Sequence, residues 1–143
     1  MFAMKIISMP TEIVLFYIQA ESFPKGVKDA FLKLESLLPT RRGRKFYGIY
    51  EEQDGQVIYR AAVEELYPGE AEKYNCKYYF LKPGDYLSIT LSNWEKHLEK
   101  IEVAFDRLAE SPTVDPQSPS VEFYKSSKEL ICMMRLNAEP TDK

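Results

Sequence analysis

The hydrophobic and polar positions change period several times along the chain, and each change marks an element. Between Lys5 and Ala20 a dense run of strand formers, Ile13, Val14, Leu15, Phe16 and Ile18, follows Pro10 and predicts one strand. Val27, Phe31, Leu34 and Leu38 then recur at helical spacing, with Lys25, Lys28, Asp29, Lys33 and Glu35 on the outside. Ser22 as N-cap and Pro24 in the first turn predict where that helix starts, and Pro39 ends it. Phe46 to Tyr50 and Val57 to Glu64 read as strands joined by an Asp54-Gly55 hairpin turn, and Leu66 to Cys76 reads as a connector without period.

The pattern then starts again. Pro83-Gly84-Asp85-Tyr86-Leu87-Ser88-Ile89-Thr90-Leu91 repeats the character of Pro10-Thr11-Glu12-Ile13-Val14-Leu15-Phe16-Tyr17-Ile18: proline, small residue, acid, strand. Ser92 and Glu95 have capping-box spacing, and Trp94, Leu98, Ile101, Phe105 and Leu108 predict a second amphipathic helix. Pro112, Pro116 and Pro119 mark a loop, and Val121 to Tyr124 with Leu130 to Leu136 predict a closing strand pair. The expectation is one domain over residues 1–143, of class α+β, built from tandem pseudo-twofold β-α-β-β repeats at about 5–66 and 77–137. Such repeats make an antiparallel sheet with two helices on one face and leave the other face uncovered, as a ligand cleft.

Composition narrows the function. A net charge of −3 in 143 residues leaves no broad basic surface for nucleic acid, and the run Arg41-Arg42-Gly43-Arg44-Lys45 reads as a solvated loop. The longest apolar run, Ile13 to Ile18, is far short of the roughly 20 residues of a membrane span. With no secretory signal at the amino terminus, a cytoplasmic location is expected. Cys76 and Cys132 lack metal-ligand spacing and are expected to be reduced, with no metal and no cofactor. Aromatic residues make up 13%, ten of them tyrosines, and tyrosines with polar tips suit a groove as well as a core.

Within the last strand pair, alternation puts Glu122 and Tyr124 on one face and Val121 and Phe123 on the other. A carboxylate on an aromatic face is costly to desolvate unless it is wet, protonated or matched by a donor or cation, so Glu122 is the leading candidate for binding chemistry. Aligning the halves sets Gly48-Ile49-Tyr50 against Glu122-Phe123-Tyr124, with Tyr50 corresponding to Tyr124 and Gly48 to the carboxylate. Gly48 signals either a close backbone approach or room for a ligand. Tyr50, Tyr124 and Tyr86 are the principal aromatic candidates, followed by Tyr59 and Trp94, although the place of Trp94 in the helical stripe also suits the core. The lone histidine, His97, sits on the second helix, and no Ser/His/Asp set, nucleophile elbow or phosphate loop occurs.

The order and spacing of Tyr47-Gly48-Ile49, Pro83-Gly84-Asp85-Tyr86 and Pro119-Ser120-Val121-Glu122-Phe123-Tyr124 resemble the GyrI-like small-molecule-binding family across nearly the whole chain. That family also supplies effector-binding domains of multidrug-responsive bacterial transcription regulators. The resemblance implies eight strands, a cleft between the halves, and a Glu-x-Tyr glutamate, here Glu122, that contacts lipophilic cations. No DNA-reading helix-turn-helix accompanies the motif, so a stand-alone binder that senses or sequesters its ligand is expected, without direct DNA or membrane binding. The alternatives are a hydrolase of small electrophilic compounds with Glu122 as general base and Tyr124 or Tyr86 as donor, or a protein-partner module such as a gyrase inhibitor.

Overall fold

A computed structural model describes residues 2–137. The elements run β1 (Met4–Met9), β2 (Ile13–Gln19), α1 (Val27–Leu37), β3 (Phe46–Gln53), β4 (Gln56–Glu64), α2 (Glu70–Lys73), β5 (Lys77–Leu81), β6 (Gly84–Ser92), α3 (Glu99–Ala109), β7 (Ser120–Tyr124) and β8 (Glu129–Arg135). All eight strands join one antiparallel sheet in the order β1-β6-β8-β7-β3-β4-β2-β5. The two helix-preceding strands, β2 and β6, therefore lie second from opposite edges, and β3 and β7 meet in the centre. Asp54 and Gly55 both take positive φ and close the β3–β4 hairpin, as the Asp-Gly pair predicts.

Three local expectations give way. The single strand over Lys5 to Ala20 is two strands, split at Pro10-Thr11-Glu12, and both pair antiparallel with different neighbours. Helix α1 begins at Val27 after a turn in which the Gly26 amide bonds to the Ser22 carbonyl, so Ser22 does not cap it. The Ser92/Glu95 capping box does not form either. Asn93 takes φ 54°, Trp94–Lys96 make a single 3-10 turn, and α3 starts only at Glu99, which leaves Leu98 60% exposed instead of in the stripe.

Both helices lie on one face. Helix α1 packs on β2 and β4 through Ala30, Leu34 and Leu38 against Phe16, Ala61 and Val63; α3 packs on β6 and β8 through Ala104 and Leu108 against Ile89, Leu91, Leu130 and Met134. Each fully buried leucine here contributes about 1.5–3 kcal/mol relative to exposure. The helices thus straddle the sheet, and the central strands β3 and β7 floor a valley between them.

The opposite face carries no helix, yet it is not the open groove expected from the sequence. The sheet curls into a half-barrel and closes that face on its own side chains: Leu15, Ile49 and Val121 are wholly buried there, with Tyr47, Tyr86 and Met133 nearly so. An apolar face left bare would lose the stabilisation of burial, and curling supplies it without a third layer.

The basic run also turns inward at one point. Arg44 and Glu70 form a bidentate pair, at 2.8 and 3.1 Å, with both side chains almost fully buried, and Glu70 also accepts the Leu66 amide at 2.9 Å. This ties the loop before β3 to α2.

Candidate functional site

The register of the central strands assembles the site. Gly48 on β3 stands opposite Glu122 on β7, Glu122 stands opposite Cys132 on β8, and Tyr50 stands opposite Tyr59 on β4. Directly opposed residues share a face, so Gly48, Tyr50, Tyr59, Glu122, Tyr124 and Cys132 all face the helices. The cleft residues therefore gather in the valley between α1 and α3, not on the uncovered face.

Tyr59 donates its hydroxyl to Glu122 Oε1 at 2.5 Å, and Tyr124 donates to the same oxygen at 2.7 Å. The two hydroxyls are 3.4 Å apart. Among the described residues, none donates to Oε2 and no Lys or Arg pairs with the carboxylate, which is only 9% exposed. Burial raises the Glu122 pKa, and the two phenol hydrogen bonds only partly oppose it. Burial first, and the neighbouring carboxylate second, push Tyr59 and Tyr124 far above the ordinary phenol value, so both remain donors.

Aromatic rings close the valley over this trio. Phe31 of α1 meets Tyr124 edge-on at 5.4 Å, and Trp94 meets the same ring edge-on at 5.1 Å while its indole N–H donates to the Ser126 carbonyl. Phe23, in the turn before α1, stacks on Tyr59 at 5.5 Å and meets Tyr50 edge-on at 5.0 Å. It is 44% exposed, whereas Phe31 and Trp94 are half-buried. Two surface hollows, of about 280 Å³ beside Thr11–Val14 and Glu64–Pro68 and about 180 Å³ beside Asn93 and Lys128, lie away from Glu122.

Gly48 resolves its two readings. A Cβ there would overlap both the Tyr59 hydroxyl and Glu122 Oε1 and come within 2.8 Å of Tyr59 Cζ, so the missing side chain makes room for the hydrogen-bonded pair and not for a ligand. Gly48→Ala is expected to cost roughly 2–4 kcal/mol, from overpacking plus a broken buried hydrogen bond. A urea midpoint that falls with an unchanged m-value would show it, and a midpoint within error of the wild type would contradict this use of the space.

Tyr86 does not belong to the site. The pairing of β6 with β8 sets Ile89 opposite Cys132, so Ile89 faces the helices and Tyr86, three residues away, faces the closed side. Its hydroxyl donates to the Lys82 carbonyl at 2.6 Å, and burial pushes its pKa up to about 12. Trp94 does reach the site, from the 3-10 turn ahead of α3. Phe23, Phe31 and Cys132 were missed. Phe31 is visible only as a stripe position, and Phe23 and Cys132 carry no signal until the strands are placed.

Among the described residues no group of three or more His, Cys, Asp or Glu converges as a metal site requires, and no helix is long and apolar enough to cross a membrane. No protein-family model matches the chain, and no curated protein sequence matches it. The fold is shared with solved structures. An integron cassette protein of Vibrio cholerae matches with a TM-score of 0.67 at 16% identity, over 94% of this chain and 95% of its own. A candidate bacterial transcription regulation protein of Staphylococcus aureus matches at 0.56 and 12%, over 96% and 99%. A hydrolase of Listeria innocua matches at 0.55 and 11%, over 95% and 92%.

Proposed function

We propose that this protein is a binder of small lipophilic cations, of the GyrI-like kind, with its two halves as tandem copies and Glu122 as the counter-charge. One observation carries the reading: a carboxylate nine-tenths buried among aromatic rings, held by two phenols, with no cationic partner among the described residues. A cationic guest would satisfy Oε2 and lie against ring faces, and each ring contributes about 0.5–2 kcal/mol depending on desolvation. Sensing or sequestration of such a ligand would be the role of the site. The shared fold with a candidate transcription regulation protein supports this reading.

A second reading has its own support, since two phenol donors on a buried carboxylate are also the residue types for acid–base hydrolysis, and a Listeria innocua neighbour is named a hydrolase. Calorimetry with 4-amidinostilbene and its neutral shape match, stilbene-4-carboxamide, tests the binder. The amidine is expected to bind at least tenfold more tightly, and equal affinities would count against it.

A further inference from the structure

The valley extends past Glu122 along β3. Gly48, Tyr50 and Glu52 share the helix-side face, so Glu52 lies four residues, roughly 13 Å, up the strand from the position opposite Glu122. The Tyr50 hydroxyl donates to Glu52 Oε2 at 2.8 Å. Between the inner and outer carboxylates, Phe23 bridges Tyr59 and Tyr50 in a continuous ring column.

Resting on the cation-binding reading above, we propose that the valley holds an outer cation subsite at Glu52, and that its preferred guests are elongated aromatic dications. One charge meets the buried Glu122, whose Oε2 has no partner among the described residues; the flat body replaces Phe23 against Tyr59 and Tyr50; the second charge, roughly 10–13 Å away, meets the Glu52 carboxylate. A monocation of the same length fills only the inner end.

The test compares 4,4′-diamidinostilbene with the stilbene bearing one amidine and one carboxamide, and with 1,4-diamidinobenzene, which is too short to span. Calorimetry on the full chain is expected to give the long dication at least tenfold tighter binding than either. The surface variant Glu52→Gln should erase that advantage and leave the monoamidine affinity within twofold. A dication no tighter than the monoamidine, or an advantage that survives Glu52→Gln, overturns the outer subsite while leaving the inner one standing. If Glu122→Gln leaves the monoamidine unaffected, the binding reading itself fails, and the outer subsite with it.

Discussion

Glu122→Gln is expected to lower the affinity for 4-amidinostilbene by roughly 2- to 30-fold while changing that for stilbene-4-carboxamide less than twofold. The substitution removes the charge and keeps an amide oxygen where Oε1 accepts from Tyr59 and Tyr124. A hydrogen bond to a charged group contributes about 1.5–3 kcal/mol against about 1 for a neutral one, and 1.4 kcal/mol is a factor of ten. The same variant should be no less stable than the wild type at pH 8, because a buried charge with no cation beside it among the described residues is costly in the free protein. Equal losses for both ligands would remove the charge from the account, and a large loss of stability would mean that the carboxylate is structural.

The largest stability effect is expected at the Arg44–Glu70 pair. Removing either side chain, as in Arg44→Ala or Glu70→Ala, should cost about 3–5 kcal/mol, because the partner is left charged in a dry setting. Burial alone would raise the Glu70 pKa, but the hydrogen bonds from Arg44 and the Leu66 amide and the Arg44 charge outweigh it, and the net shift is downward. A depressed carboxyl pKa stabilises the fold above the unfolded value and loses that contribution as pH falls through the folded one. The stability gap between wild type and Glu70→Ala should therefore narrow under acid. Denaturant unfolding at pH 7 and pH 3 reads this, and a gap that widens toward acid would contradict it.

These two charged sites were unequally legible in the sequence. Glu122 stands out because strand alternation sets it beside Tyr124 on an aromatic face, and the two long helices, the hairpin and six of the strands follow from period and turn chemistry, whereas α2 lies in a stretch that reads as a connector. The edge strands were not separable. Lys77-Tyr-Tyr-Phe-Leu81 has no polar alternation, and Met4–Met9 merges with β2 across a bend that only pairing reveals. The face of Tyr86 depends on the register of β6 against β8, and a one-residue slip would reverse it. Arg44 looked like one more solvated cation until α2 brought Glu70 beneath it. The sequence points to the uncovered face as the cleft because nothing local tells a chain that its sheet will curl.

The central claim is that a buried carboxylate, held by two phenols and with no cationic partner among the described residues, waits for a cation. Its most direct test is a carbon-13 NMR titration of the Glu122 carboxyl with and without 4-amidinostilbene. Burial raises the pKa in the free protein, so its contribution to stability is present below the unfolded value and lost as pH rises through the folded one. A bound amidinium should pull that pKa down. A Glu122 that titrates at the ordinary glutamate value in both states, unmoved by the ligand, would contradict the account.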